Sequence, residues 1–202
     1  MNPLQSENIK WCENIIIADA DYIDHVAFDL TVNFERIINR RIPKADLAQW
    51  AVCMALDGGV KEGENHTQLI LIHDKEQQTL QNFVPGDHEK ELDGKAFNDP
   101  QLGEFAISSY PVEASVVSKT TFLVDIAQTI CNAGEVKRVM IVADAEHSDA
   151  YDQLRSALRH IDDDGKRITL FAMAPLPGGN FRQEILGYSL MNALGIKASE
   201  IK

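Results

Sequence analysis

Short apolar runs alternate along the chain with longer segments in which apolar residues recur at helical spacing. The runs predict strands at residues 15–18, 68–73, 104–108, 137–143 and 167–173. The helical spacing predicts helices at residues 23–38, 44–56, 119–131, 148–161 and 181–194. From residue 119 onward, helices and strands alternate at short intervals, which is typical of crossovers on a parallel sheet. We therefore expect a three-layer α/β/α fold with a mainly parallel, Rossmann-like sheet.

One segment breaks this alternation. Residues 75–100 carry many charges, Gly86, Gly94 and two prolines, a composition that favours loops. We interpret the segment as a loop-rich insertion, so residues 1–202 form a single α/β domain. Trp50 lies on a helical stripe and is expected in the core.

Composition narrows the class of protein. The 202 residues are 45% apolar, which suits one globular domain with a substantial core. The apolar runs are too short to cross a membrane, and the first residues do not resemble a signal peptide. The three cysteines are odd in number and widely spaced, so we expect reduced thiols in a cytoplasmic protein. The net charge of −12 argues against tight, nonspecific binding to nucleic acid.

Acidic residues follow the predicted strands. Asp19 and Asp21 come after residues 15–18, and Asp144 and Glu146 come after residues 137–143. Ligands of open α/β sheets bind outside the carboxyl ends of the strands, so these acids are candidate site residues. Mg²⁺ is usually held by one or two carboxylates, and Asp19 and Asp144 on neighbouring strands are enough to hold it.

Plainer roles compete with these assignments. Asp21 is expected to cap a helix that begins near Tyr22, and Ser148 to cap the helix predicted after Asp144. Asp125 lies within a predicted helix, where the sequence does not separate a solvent-facing position from a site-facing one. His147, beside these acids, is either a solvated loop residue or a proton carrier.

Three stretches resemble the PIN-like superfamily, and specifically its NYN branch. They are IIIADADYID at residues 15–24, FNDPQLGEFAISSYPVEASVVSKTTFLVDIAQTI at residues 97–130 and VKRVMIVADAEHSDAYDQLRSALRHIDDDGKRITLFAM at residues 136–173. The third is the most similar, since it combines a strand ending in paired acids, an amphipathic helix, Gly-Lys and another strand. The resemblance implies a PIN-like fold.

The resemblance also implies a function. Members of the NYN branch often act as metal-dependent ribonucleases, which implies Asp19, Asp125, Asp144 and Glu146 as catalytic residues and RNA as the partner. Asp19, Asp144 and Asp125 would hold Mg²⁺ or Mn²⁺, which activates water and stabilises the phosphodiester transition state. The chain departs from the family pattern at Tyr22, where the family has asparagine, and at Glu146, where it has aspartate.

Two alternatives stay open. The departures and the acidity favour a catalytically inactive PIN-like domain that binds a protein partner or a small ligand, and a homodimer is the default oligomer. The triplet Asp19-Ala20-Asp21 also resembles the paired aspartates of haloacid-dehalogenase-like phosphatases, in which the first is the nucleophile. That resemblance implies Lys119 as the site cation and Asp144 with Asp149 as Mg²⁺ ligands.

Overall fold

A computed structural model describes residues 10–161, 165–179 and 181–201 as a mixed α/β fold. The strands are β1 (Asn14–Asp19), β2 (Ala45–Asp46), β3 (Asn65–Asp74), β4 (Phe83–Val84), β5 (Ala96–Asp99), β6 (Gly103–Val112), β7 (Arg138–Val142), β8 (Arg167–Ala172) and β9 (Arg182–Ile185). The helices are α1 (Ala20–Ile38), α2 (Leu47–Asp57), α3 (Lys119–Asn132), α4 (Ala150–Leu158) and α5 (Leu186–Ala193). A π-helical turn covers His88–Leu92, and a 3₁₀ turn covers Ala198–Glu200.

The seven-stranded sheet has the order β5-β6-β3-β1-β7-β8-β9. Every neighbouring pair is parallel except β5 with β6 at one edge. The chain builds β1, β3 and β6 outward in one direction and then returns to place β7 on the other side of β1. The strand order therefore reverses between β1 and β7, where open α/β sheets bind their ligands.

Two apolar cores lie on opposite faces of this sheet. One core joins α1, α2 and α5 to the sheet and includes the fully buried Trp50 and Met54. The other joins α3 and α4 to the opposite face through residues such as Ile17 and Ile130. Successive side chains of a strand point to opposite faces, and Ile15 and Ile17 accordingly face the second core while Ile16 faces the first. The expected three layers are confirmed.

Some elements begin or end at other residues than predicted. The segment at residues 181–194 was expected to be one helix, but its first part is the edge strand β9 and only its second part is α5. Helix α1 ends at Ile38, as predicted, and Asn39 follows as its C-cap with φ 51°. The insertion at residues 75–100 contains β4, the π-helical turn and β5, so it is more ordered than predicted.

The structure confirms the prediction for the thiols within the described residues. Cys12, Cys53 and Cys131 are all free, and Cys131 is buried. Burial raises the pKa of Cys131 to about 12, so this thiol is a core residue and a poor nucleophile. No helix in the described part of the chain combines the length and apolar character needed to span a membrane.

Candidate functional site

The strand register places two of the predicted acids side by side. Ala18 pairs with Val142 across the parallel strands β1 and β7, so Asp19 at the end of β1 and Asp144, two residues after β7, are one position out of step. Neighbouring strands are about 4.8 Å apart, which brings both residues to the same edge of the sheet. This edge is also the point where the strand order reverses.

Asp19 is the last residue of β1 and the N-cap of α1. Its Oδ1 accepts a hydrogen bond from the Tyr22 N–H at 3.1 Å, which satisfies one of the free donors at the start of the helix. The residue is only 8% exposed. Burial raises the pKa of the Asp19 carboxyl above its ordinary value, although Lys119 and the Tyr22 N–H act in the opposite direction.

Lys119 collects three carboxylates into what we call the acid–lysine cluster. Its Nζ lies 3.0 Å from Asp19 Oδ1, 2.5 Å from Asp21 Oδ2 and 3.5 Å from Asp74 Oδ2. Asp19 ends β1, Asp21 lies in α1, Asp74 ends β3 and Lys119 begins α3, so the cluster joins four elements. Burial by itself lowers the pKa of Lys119, but the Asp19 and Asp21 carboxylates raise it above its ordinary value, so the ammonium stays charged.

Glu146 connects the loop after β7 to two other segments. Its Oε2 accepts a hydrogen bond from the Tyr22 hydroxyl at 2.6 Å. Its Oε1 accepts from the N–H groups of Met173 and Ala174 at 2.6 and 3.0 Å. Burial raises the pKa of the Tyr22 phenol, and so do the charges of Glu146, Asp144 and Asp19, so Tyr22 remains a donor. Glu146 therefore fixes the site through α1 and the end of β8.

Asp144 organises its own loop. Its Oδ1 accepts the backbone N–H of His147 at 3.1 Å and lies 3.0 Å from the Nδ1 of the same residue. The Ser148 hydroxyl donates to the Asp144 carbonyl. One ligand atom from each of Asp144, Glu146 and His147 lies within 4.8 Å of the others, which is close enough to hold one metal ion.

A groove of about 570 Å³ opens beside these three residues. One wall is α1, with Val26 and Leu30 supplying apolar surface, and the other includes Met173. Among the described residues that line the groove, none is a lysine or an arginine. An anionic substrate in the groove would therefore need a bound metal ion to offset the charges of Asp29, Asp144 and Glu146.

The structure separates the predicted site residues into two groups. Asp144 and Glu146 lie together with His147, and Tyr22 links them to the end of β1, because its hydroxyl bonds Glu146 and its N–H bonds Asp19. Asp125 does not join them: it is exposed on α3, and its carboxylate makes no hydrogen bond or ion pair with the described residues. Residue 125 follows Lys119 by six helical positions, which places it further along α3, and Lys119 is the α3 residue that reaches the acids.

Two expected caps are corrected. The N-cap of α1 is Asp19, and Asp21 instead accepts the Asp74 N–H at 2.8 Å and pairs with Lys119. Helix α4 begins after Asp149, not Ser148, although the Ser148 hydroxyl accepts the Ala150 N–H at 3.1 Å.

Asp74 is a member of the cluster that was not predicted from the sequence. It directly follows the strand predicted at residues 68–73, so the rule that selected Asp19 and Asp144 also applies to it. Asp74 falls between that strand and the charged insertion at residues 75–100, so it was assigned to neither.

Comparison with known proteins gives a family but no activity. No curated protein and no solved structure matches the chain significantly. A family model matches residues 8–201, which is nearly the whole chain. The chain therefore belongs to DUF6621, a family of unknown function.

Proposed function

We propose that the protein is a divalent-metal-dependent phosphodiesterase that cleaves RNA. The observation that carries this proposal is the group of Asp144, Glu146 and His147 after β7, which lies within reach of one metal ion where the strand order reverses, with Asp19 at the end of the neighbouring β1. The PIN-like resemblance of the sequence supports the same reaction. The groove beside Asp144 supplies a place for substrate next to these acids.

The donor atoms suit Mg²⁺ or Mn²⁺. Carboxylate oxygens are the preferred ligands of both ions, and Mn²⁺ also accepts an imidazole nitrogen. Asp144 and Glu146 would hold the metal with His147, and Asp19 faces the same edge. A bound metal would supply an activated water and a positive charge against the phosphate.

The chain's own residues set up this arrangement. Tyr22 and the N–H groups of Met173 and Ala174 orient the Glu146 carboxylate by three hydrogen bonds. Lys119 lies against Asp19 and Asp21 and balances part of their negative charge. The apolar surface of Val26 and Leu30 offers contact for a nucleobase.

The test is cleavage of single-stranded and structured RNAs in the presence of Mg²⁺ or Mn²⁺. Wild type should cleave, and Asp144→Asn should lose cleavage by about a hundredfold or more, because the metal loses a ligand. Asp152→Asn is the matched control, since this exposed acid pairs with Arg155 on α4. Asp125→Asn should also retain activity. Absence of wild-type cleavage with every RNA and both metals contradicts the proposal.

Calorimetry separates an inactive binding domain from an enzyme. Titration with Mg²⁺ or Mn²⁺ should show binding that Asp144→Asn removes and Asp152→Asn keeps. Wild type that binds neither ion would favour the alternative of a catalytically inactive interaction domain.

A phosphatase is the second candidate, because Lys119 contacts both aspartates of the Asp19-Ala20-Asp21 triplet. In that reaction an Asp19 oxygen would attack phosphorus and form an aspartyl-phosphate, while Asp21 would give its proton to the departing alcohol. Water would then give a proton to Asp21 and attack the phosphorus, which releases phosphate and restores both Asp19 and Asp21.

Aryl phosphates distinguish the two reactions. Release of phosphate by wild type, lost in Asp19→Asn and Asp21→Asn, would establish the phosphatase and overturn the nuclease. RNA cleavage without hydrolysis of aryl phosphates would remove the second candidate.

A further inference from the structure

A second pocket, of about 310 Å³, lies where β3 and β6 end, and two stacked histidine rings line it. The centroids of His73 and His88 are 3.7 Å apart and their planes differ by 4°. Both residues are buried. His73 comes from the end of β3, and His88 from the π-helical turn that covers the ends of both strands. Turns of this type occur frequently at functional sites.

The ring nitrogens have different partners. His73 Nδ1 lies 2.9 Å from the Asp74 carbonyl oxygen, and because a carbonyl can only accept, this nitrogen carries a proton. His88 Nδ1 shares a hydrogen bond of 2.7 Å with the Ser109 hydroxyl. The buried Nε2 of His88 has no hydrogen-bond partner among the described residues.

Asp74 connects this pair to the acid–lysine cluster through all its polar groups. Its carbonyl faces His73, its N–H donates to Asp21 Oδ2 at 2.8 Å, and its carboxylate lies 3.5 Å from the Nζ of Lys119. A change in the orientation of the His73 ring therefore acts directly on the backbone of a cluster residue.

The surroundings of His88 disfavour a positive charge. Burial lowers the pKa of His88 to about 4, and the neighbouring His73 acts in the same direction. Asp87 opposes this, but Lys90 lies 3.7 Å from the Asp87 carboxylate and offsets part of its charge. The segment after β3 and the region around the turn supply the other ionisable groups that line the pocket, which are Lys75, Asp87, Glu89, Lys90 and Asp93. Strand β6 contributes Ser109 and Pro111, which carry no charge.

We propose that the stacked His73–His88 pair is a positioning element, which holds Asp74 beside Lys119 while the His88 ring is uncharged and releases it when that ring takes up a proton. A proton on His88 would place an unpaired charge on a buried nitrogen and against the face of a second imidazole. The turn would then have to open, and the His73 ring would lose the stacking that orients it toward the Asp74 carbonyl. The effect on catalysis rests on the proposed function, whereas the effect on Asp74 does not.

The direction of the pH effect follows from the two states of His88. In the open state the ring titrates at its ordinary value of 6.5, and in the closed state at about 4. The closed state is therefore fully favoured above pH 6.5 and loses ground as the pH falls toward 4. The difference of 6.5 − 4 = 2.5 pH units corresponds to a change of roughly 300-fold in the opening equilibrium.

Hydrogen exchange tests the opening without substrate. The Gly94 N–H, which bonds the Ile107 carbonyl at 3.0 Å, reports on the turn segment, and the Asp74 N–H reports on the cluster. Both amides should lose protection together between pH 6.5 and 4, after correction for the intrinsic pH dependence of exchange. Protection of Asp74 that stays constant over this range overturns the proposal.

Variants identify the titrating group. His88→Phe keeps a ring against His73 but cannot take up a proton, so the pH dependence of Asp74 protection should disappear. His66→Gln is the matched control, because His66 lies on β3 like His73 but is exposed at the opposite end of that strand. Asp74 protection in this variant should depend on pH as it does in wild type. Equal pH dependence in His88→Phe and wild type contradicts the proposal.

Nuclear magnetic resonance of the imidazoles covers the case in which His88→Phe does not fold. In wild type the loss of Asp74 protection should level off at the pH at which His88 becomes protonated, and a loss that continues well below that pH overturns the proposal. Failure of RNA cleavage at every pH, with protection levelling off as expected, refutes the proposed function and leaves the positioning role supported.

Discussion

At the scale of single residues, the site combines a stability cost with a structural role. Asp19 caps α1 through its Oδ1, yet it is a buried acid whose neighbours do not fully offset the loss of water. Lys119 is the only cation in contact with the Asp19 carboxylate among the described residues. The energetics of the cluster therefore depend on two side chains that the fold holds 3.0 Å apart.

Asp19→Asn should stabilise the protein at neutral pH by about 1 kcal/mol, a gain of the kind often seen when a strained site is relieved. Asparagine still accepts the Tyr22 N–H but carries no buried charge. The pKa of Asp19 is higher in the folded than in the unfolded protein, so its carboxylate destabilises the fold at pH values above the folded pKa. Below about pH 3.8 wild-type Asp19 is neutral in both the folded and the unfolded protein, and the gain from Asp19→Asn should vanish. Urea denaturation at pH 7 and at acid pH measures this; a destabilised variant at pH 7 would contradict it.

Lys119→Met should destabilise the protein at pH 7 by about 2–3 kcal/mol, somewhat less than for a fully buried pair because the site is partly exposed. The loss leaves Asp19 and Asp21 without their cation, and it should shrink at acid pH as the carboxylates become neutral. Lys137→Met is the control, since it removes an exposed pair with Glu13, and denaturation should show no measurable change. Equal effects of the two substitutions would argue against a special role for Lys119.

At the scale of elements, the close pairing of β3 with β6 depends on a glycine at the start of β6. Gly103 has φ 86°, and a Cβ at this position would lie 2.4 Å from the Asn65 carbonyl oxygen and 2.6 Å from its nitrogen. These are backbone atoms of the paired strand and cannot move aside. The pairing ends in Asp74, so the strand contact also positions the acid–lysine cluster.

Gly103→Ala should destabilise the protein by about 3 kcal/mol or more, because it adds both a disfavoured backbone conformation and a backbone clash. Gly94→Ala meets open space at φ 69° and should cost about 1 kcal/mol, from the conformation alone. Gly134→Ala meets neither a disfavoured backbone conformation nor a clash, so its effect on stability should be close to zero. Thermal or urea denaturation ranks the three; Gly103→Ala as mild as Gly134→Ala would show that the strands do not approach so closely.

At the scale of the whole molecule, the net charge affects the stability of the fold and its response to salt. The net charge is −12, and acids gather at the carboxyl edge of the sheet. Repulsion among these groups opposes compaction and is weakened by salt.

Unfolding in NaCl and in MgCl₂ at equal ionic strength separates screening from binding. Both salts should raise the melting temperature, and MgCl₂ should add roughly 1.4 kcal/mol of stability when its concentration is tenfold above its dissociation constant. Asp144→Asn should lose the added part while keeping the NaCl response, and Asp152→Asn should keep both. An identical response of wild type to the two salts would remove the case for a specific metal site.

The sequence predicted the parallel sheet and the placement of Asp19 and Asp144, since apolar periodicity and the rule for strand ends are local and general. It did not predict β9, because an edge strand with the polar sequence RQEI lacks an apolar run. It did not decide whether Asp125 faces solvent or the site, because the direction in which a residue of α3 points depends on how that helix packs on the sheet.

Apolar patterning by itself determined the α/β class, the order of most elements and the edge of the sheet where acids would gather, because burial is the dominant force in folding. Only the tertiary structure decided which side chains meet there. Lys119 lies near Asp21 although 98 positions separate them in the chain, and Tyr22 reaches Glu146 across 124. Contacts of this kind arise from strand register and helix packing, which single-residue patterns do not encode.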